Sequence, residues 1–312
     1  MTLVVARQIN KDVYIIGDSK FSDNIENTQP ESKKYIGGLK VILLTPGLCV
    51  GFAGNVENAR VAIQCIYDKN INLFDKNCVI NYFLSHHKNS LDTGYPTDFI
   101  VAVILENEEN PRTFINEIFK IADSKVCWEN EATHIGSTSA FNSFQDNFHN
   151  GKLNNNVPTF EISQQVTNAG FDFNKSLSIA MQAMQGIIDD TSILEVDGIR
   201  TVVVSDEGQF KYIEYLQLRG VPTPVNNEPN APLHFGGAEE GSDHKHVGMF
   251  SAVGHGVYPL YWIAGRFGVI YQSETCFEPI IISNCSLDEF RLKVEERISI
   301  AHQRALNYQS RF

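Results

Sequence analysis

The stretch that decides the fold runs from Thr2 to Ser22, TLVVARQINKDVYIIGDSKFS. Its apolar, largely β-branched runs Leu3–Gln8 and Asp12–Asp18 are parted by Asn10-Lys11, which predicts a β-hairpin at the head of the chain. Thr2 stands at the mouth of the first strand, directly behind Met1. Removal of Met1 would leave a free α-amine beside a hydroxyl, so that one residue holds both a base and a nucleophile. An α-amine titrates at about 7.7–8.0 and is partly uncharged at pH 7, able to take the hydroxyl proton as the threonine attacks. A threonine in second position is common and has no such meaning by itself, so the rest of the chain has to supply it.

Beyond a polar stretch, Ser19 to Lys34, the runs Lys40–Thr45 and Leu48–Phe52 flank Pro46-Gly47 and predict a second hairpin. After Gly54, Val56, Ala59, Ala62, Ile63 and Ile66 recur at helical spacing, with Glu57 in the first turn, where the helix dipole favours an anion. A second helix is expected over Cys78–His87. Strands follow at Asp98–Glu106 and Arg112–Ile118, then at Ser124–Trp128 and Thr133–Ile135. Helices are expected at Ser137–Phe148 and Asn174–Ile188, and a last hairpin at Arg200–Ser205 and Gln209–Tyr215 turns through Glu207-Gly208. Strands and helices come in blocks rather than in βαβ alternation, which implies an α+β fold of stacked sheet and helix layers.

From Gly220 to Gly256 the chain is rich in Pro, Gly and Asn, and the main boundary is expected there. It divides a main domain, 1–216, from a C-terminal extension, 217–312. The extension reads as strands at Val257–Ile263, Arg266–Gln272 and Phe277–Ile282 and an amphipathic helix, Leu287–Leu306, with Phe290, Val294, Ile298 and Ala301 on one face.

Composition narrows the function classes. The 312 residues are 43% hydrophobic and 20% charged, ordinary for a globular protein. A net charge of -12, from 25 basic and 37 acidic residues, would repel a phosphate backbone, which speaks against nucleic-acid binding. Runs such as Val41–Leu44 and Phe99–Leu105 are far too short for a membrane span, and the charges at Arg7, Lys11 and Asp12 break up any signal-peptide core. A cytoplasmic protein is expected. Cys49, Cys65, Cys78, Cys127, Cys276 and Cys285 have no CxxC spacing and read as reduced packing residues. His244 and His246, with His234 and His255 near them, have HxH spacing, but a polar loop with scattered histidines is the better reading than a metal site.

The opening TLVVARQINKDVYIIGDSKFS, the SKK at 32–34 and VGFAGNVENARVAI at 50–63 together resemble the start of proteasome β-type subunits and their bacterial ring-peptidase relatives. These belong to the N-terminal-nucleophile hydrolases. DFIVAVILENEENPRTFIN at 98–116 and ATHIGSTSAFNSF at 132–144 continue the likeness, which weakens after residue 150. The resemblance implies a four-layer αββα sandwich of the N-terminal-nucleophile type, here with the C-terminal extension added.

The resemblance also implies a set of site residues. Thr2 matches the nucleophile, Asp18 the strand-end aspartate, and Lys34 the lysine sixteen residues beyond it. A buried ammonium near the hydroxyl favours the alkoxide, and a carboxylate holds that ammonium charged. On local grounds alone Asp18 is a strand-ending turn residue and Lys34 a surface charge; Lys33, Lys20 and Lys40 are the alternatives if the register differs. Ser137 matches a serine beside the nucleophile and also suits a helix N-cap, although Thr138 stands where the family motif has glycine. Gly54 matches the glycine whose N–H stabilises the oxyanion. Ser22 matches a residue whose main chain pairs with an extended peptide, and Phe21, Phe52 and Val56 fall where the family builds its first specificity pocket. Asp190, followed by Ser192, or else Asp197, matches a further aspartate near the site.

The function so implied is threonine-type hydrolysis of peptide bonds through an acyl-enzyme ester, without metal or organic cofactor, on a peptide or unfolded-protein substrate. A homo-oligomeric ring is expected; an ATPase or other regulator is left open. Two alternatives remain, an amidase acting on a small non-peptide amide and a non-catalytic ring or scaffold subunit that keeps Met1.

Overall fold

Strands β1 (Leu3–Ile9) and β2 (Asp12–Gly17) pair antiparallel through a two-residue turn in which Asn10 takes φ 57°, a conformation that Asn accepts more readily than most residues. The computed structural model describes residues 2–20, 37–66, 71–107, 109–150, 171–190, 192–213, 247–249, 256–262, 266–273 and 277–309. The second hairpin is β3 (Val41–Thr45) and β4 (Leu48–Gly54), followed by α1 (Val56–Gln64) and α2 (Lys76–Asp92). Asn55 caps α1 by accepting from Asn58 N, and Asp75 caps α2 by accepting from Asn77 N and Cys78 N. Then come β5 (Thr97–Asn107), β6 (Asn110–Ala122), β7 (Lys125–Glu129), β8 (Ala132–Gly136), α3 (Thr138–Asn150), α4 (Phe171–Asp189), β9 (Thr201–Asp206) and β10 (Gln209–Tyr212).

The chain ends in β11 (Val247–Met249), β12 (Val257–Trp262), β13 (Phe267–Gln272), β14 (Ile280–Ile282) and α5 (Leu287–Gln309). Strand β11 falls inside the segment expected to be irregular, because three residues are too few to show a period. Ser286 and Glu289 cap α5 reciprocally: Glu289 N donates to Ser286 Oγ at 3.3 Å, and Ser286 N to Glu289 Oε2 at 2.7 Å.

Among the described residues the strands form three antiparallel sheets, ordered β10-β9-β2-β1-β8, β3-β4-β5-β6-β7 and β11-β12-β13-β14. The two-residue period of a strand sends alternate side chains of the first hairpin to opposite sides. Val4, Ala6, Val13 and Ile15 join the cluster that includes Val41, Val50 and Phe99 of the second sheet, whereas Leu3, Val5, Tyr14 and Ile16 join Leu177, Ala180 and Met184 of α4 and Phe144 of α3. On the second sheet, Ala59 and Ile63 of α1 and Val79 and Phe83 of α2 belong to the same cluster as the strands they cover. Chain order alone puts strands and helices in blocks, as the sequence implies, and every strand pair is antiparallel.

The extension shares the main core. Tyr258, Leu260, Val269 and Tyr271 enter the cluster that holds β3 and β4, while Val257, Tyr261 and Ile270, from the alternate positions, pack with Phe290 and Val294 of α5. Strand β3 lies at an edge of its sheet, and an uncovered edge is open to unwanted pairing. Two side chains occupy it. Leu43 N donates to Tyr212 Oη at 3.2 Å, Tyr212 Oη donates to Val41 O at 3.0 Å, and Ser273 Oγ donates to Leu43 O.

The two large sheets meet where glycines let them approach. A Cβ at Gly51 would lie 2.8 Å from Val4 Cγ1, and one at Gly17 would lie 3.0 Å from Val41 Cγ2. Gly51→Ala should therefore overpack the interior and lower the unfolding free energy by about 1–3 kcal/mol. Urea titration of Gly51→Ala, Val4→Ala and the double variant checks this. The double variant should lose less than the sum of the singles, and strict additivity would rule out the steric account.

Candidate active site

Asp18 follows β2 into the interior and is fully buried. A carboxylate without solvent needs a donor for each lone pair it can satisfy. Here Oδ1 accepts from Leu3 N at 3.1 Å and from the Thr2 hydroxyl, and Oδ2 accepts from Lys20 N at 3.1 Å and from Lys40 Nζ at 2.8 Å. Lys40 Nζ also donates to Thr2 Oγ1. Thr2, Asp18 and Lys40 are 4%, 0% and 2% exposed, so the three groups form one dry triangle. Burial pulls the Lys40 ammonium below the ordinary lysine range, and the Asp18 charge and hydrogen bond oppose that pull.

The expected ammonium was that of Lys34, which lies outside the described residues, as do Lys33, Ser22 and Phe21. The ammonium in that place belongs to Lys40. The reason is how the chain returns after Ser19. Gly38 N donates to Ser19 O at 3.1 Å, and a Cβ at Gly37 would lie 1.8 Å from that same oxygen, so only glycine fits the crossing. Two residues on, Lys40 O accepts from Phe52 N at 3.0 Å, which anchors the lysine main chain against β4. Lys20, the other alternative, turns away; its Nζ donates to Leu194 O at 2.7 Å and lies 3.9 Å from Asp197.

Thr2 is fixed by its main chain as well. Ser137 N donates to Thr2 O at 2.8 Å. Gly136, paired with Leu3, has φ +99°, and a Cβ there would lie 1.9 Å from Thr2 O. The same Cβ would lie 3.4 Å from Ala53 Cβ, which brings the end of β4 to the Thr2 junction. Ser137 Oγ accepts from Ala140 N at 3.2 Å and lies 2.8 Å from Ser139 Oγ, so its hydroxyl caps α3.

Gly54 is placed by the β4–β5 ladder. Donors on an antiparallel strand alternate between its two neighbours. Asn55 N donates to Pro96 O at 3.3 Å on the β5 side, and Phe52 N donates to Lys40 O on the other, so the Gly54 N–H, two residues on from Phe52 along β4, lies on the edge that faces Lys40 O. Gly54 has φ +107°, and a Cβ there would lie 2.0 Å from Pro96 O. The Thr2 hydroxyl and the Lys40 ammonium thus lie together, with the end of β4 close to the Thr2 junction.

The remaining expected residues are placed as follows in the fold. Asp190 is exposed just after α4, and its Oδ1 accepts from Ser192 N at 2.9 Å and Ser192 Oγ at 2.6 Å, a turn that holds its carboxyl below the usual range. Its alternative, Asp197, is also exposed and accepts from Gly198 N at 2.7 Å. Phe52 is 1% exposed, with its ring 5.4 Å from that of Phe277, which makes it core rather than an open pocket wall. Val56, half-buried, opens α1 beside Gly54.

Ser19 and Gly136 were not singled out from sequence. Ser19 Oγ accepts from Ile199 N at 2.9 Å and ties the 198–199 turn to the Asp18 strand end. The usable signal for Lys40 was its position immediately before the apolar run 41–45, which a hairpin with 48–52 places next to the Gly54 end of β4. Among the described residues no group of His, Cys, Asp and Glu could hold a metal, and the histidines at 234, 244, 246 and 255 lie outside them. No helix among the described residues is long and apolar enough to cross a membrane.

No protein-family model matches the chain, and no curated protein sequence matches it. Among solved structures it is similar to a Gly-1 mutant of Anbu from Hyphomicrobium sp. strain MC1, with 10% identity, 68% of this chain and 87% of that chain covered, and a TM-score of 0.45. It is also similar to eukaryotic HslV from Trypanosoma brucei, with 14% identity, 65% and 98% covered, and a TM-score of 0.40. At such values the likeness adds no argument to the geometry above.

Removing one partner of a buried ion pair leaves a charge without compensation. Lys40→Met and Asp18→Asn should each lower stability by about 3–5 kcal/mol, and the double variant by less than their sum. The lysine has its own pH signature. Its folded pKa lies below the ordinary 10.5, so between the two values the unfolded chain holds a proton that the folded chain has released. Stability should therefore rise with pH across that window relative to Lys40→Met, and be lost again as pH falls through the folded value. Denaturant titrations of both proteins from pH 8 upward, showing parallel pH profiles, would contradict the buried placement of Lys40.

Proposed function

We propose that this chain is a threonine-type amide hydrolase built as a four-layer αββα sandwich of the N-terminal-nucleophile kind, acting on peptide bonds. The observation that carries the reading is the Thr2 hydroxyl, held out of solvent between Lys40 Nζ and the Asp18 carboxylate. With Met1 removed, the Thr2 α-amine takes the hydroxyl proton as Oγ1 attacks the substrate carbonyl carbon. Lys40 stabilises the developing alkoxide electrostatically, and its low-dielectric surroundings strengthen that effect. Gly54 N–H donates to the carbonyl oxygen as it becomes an oxyanion. Collapse breaks the C–N bond, the proton passes to the leaving amine, and the ester on Thr2 is then hydrolysed by water. Asp18 keeps the ammonium charged and in place.

We extend the proposal to a cytoplasmic homo-oligomer that encloses the site, because an unguarded peptidase of broad reach would attack its own surroundings. The test is turnover of fluorogenic peptide amides by protein whose intact mass shows Thr2 at the terminus. Thr2→Ala should abolish turnover, at least 10²-fold in kcat, with an unchanged melting curve, while Thr2→Ser keeps measurable activity. Retained turnover in Thr2→Ala, or a mass that keeps Met1 in an active protein, would remove the threonine from the mechanism.

A further inference from the structure

His87 lies on α2, fully buried, with no part in the chemistry described so far. Its two ring nitrogens make different contacts. Ser124 N donates to Nε2 at 3.0 Å, so that nitrogen carries no hydrogen and the ring proton sits on Nδ1. Nδ1 lies 2.8 Å from Thr97 O, to which it donates, and 3.3 Å from Asp98 Oδ1. One turn along the helix, Ser90 Oγ donates to His87 O at 2.6 Å and accepts from Thr97 N at 2.8 Å. The main chain of Thr97 is thus gripped at both its N–H and its C=O by α2.

Thr97 is the residue paired with Gly54. Its Oγ1 donates to Asn55 O at 3.0 Å, and the preceding carbonyl, Pro96 O, accepts from Asn55 N at 3.3 Å and sits where a Gly54 Cβ would be. On the β5 side, Gly54–Asn55 is thus held by Pro96 and Thr97, and the Thr97 main chain is in turn held by His87 and Ser90.

We propose that His87 is a positioning residue for the oxyanion donor, aiming the Gly54 N–H through its Nδ1–H bond to Thr97 O. The proposal rests on the reading of Gly54 as that donor. The imidazole suits the task because it is rigid and couples two elements, the Thr97 carbonyl through one nitrogen and the β6–β7 turn at Ser124 through the other. Only the first of these links leads to Gly54.

The two links can be separated by substitution. His87→Asn keeps an N–H donor near the Nδ1 position and loses the acceptor for Ser124, whereas His87→Gln can supply the acceptor and loses the donor for Thr97. With peptide-amide substrate, His87→Ala should lower kcat about tenfold with KM nearly unchanged, since donor alignment counts only as charge develops. His87→Asn should recover most of that kcat, His87→Gln should not, and Ser90→Ala should fall in the same direction as His87→Ala. A purely structural role would lower the melting temperature in all of them without ordering kcat in this way. If His87→Ala does not fold, the Asn and Gln variants still decide the matter. Equal kcat in Asn and Gln, or an unchanged kcat in Ala, overturns the proposal. The 1H–15N shift of Gly54, near wild type in His87→Asn and displaced in His87→Gln, gives the same contrast without turnover. Wild-type protein that shows no Thr2-dependent turnover therefore sinks the hydrolase reading alone, and the amide shift still supports or overturns the role of His87.

Discussion

The buried triangle of Asp18, Lys40 and the Thr2 hydroxyl is the constraint that the rest of the structure serves. Taking an ammonium and a carboxylate out of water costs several kcal/mol per ion, and their attraction offsets this only when the geometry is good and the remaining lone pairs are filled. That condition explains the crowding of donors on Asp18, where two backbone N–H groups join the hydroxyl and the ammonium. Such an arrangement is weak evidence for stability and stronger evidence for chemistry, because an apolar pair would hold the fold as well and could not polarise a hydroxyl.

Reaching that triangle sets demands on elements far apart in the chain. The glycine crossing at Ser19 brings residue 40 back to the end of β2, and the β3–β4 ladder then holds it. Strand β3 begins right after Lys40 and lies at a sheet edge, so whatever holds β3 also holds the lysine. Tyr212 from the first sheet and Ser273 from the extension bond its outward polar groups, and Tyr258 and Tyr271 pack on the same cluster. The C-terminal segment is thereby tied to the site by packing.

Much of this was legible in the sequence, and the limits have physical causes. The hairpins, the amphipathic helices and the antiparallel block order follow from local period and turn chemistry, and Thr2, Asp18 and Gly54 fall where a strand start, a strand end and a strand-to-helix junction put them. A count of residues along the chain points to Lys34 for the ammonium, whereas the ion pair of Lys40 is set by where the return crossing meets Ser19, a contact between distant residues. Asp190 misled for the opposite reason. An aspartate followed two residues later by serine satisfies itself locally, and its exposed turn needs nothing from the site. The need for glycine at position 136 depends on a carbonyl reaching it from another strand, which no local pattern encodes.

The proposed nucleophile and the proposed oxyanion donor belong to different sheets, yet each is fixed in the same manner. Gly136 takes a positive φ with Thr2 O pressed against it, and Gly54 takes a positive φ with Pro96 O pressed against it. In both cases a side chain would push a carbonyl away, so each junction needs glycine as well as the hydrogen bond that holds the carbonyl, from Ser137 N and from Asn55 N. The distance between the two groups then depends on how closely the sheets approach, and that approach is governed by Gly51 against Val4 a few residues from each. The relative placement of the two groups is thus delegated to backbone packing, which is stiff because protein interiors are close to crystalline density. In the proposed hydrolase the charged triangle would supply the reactivity, and the glycine contacts would decide where it is aimed.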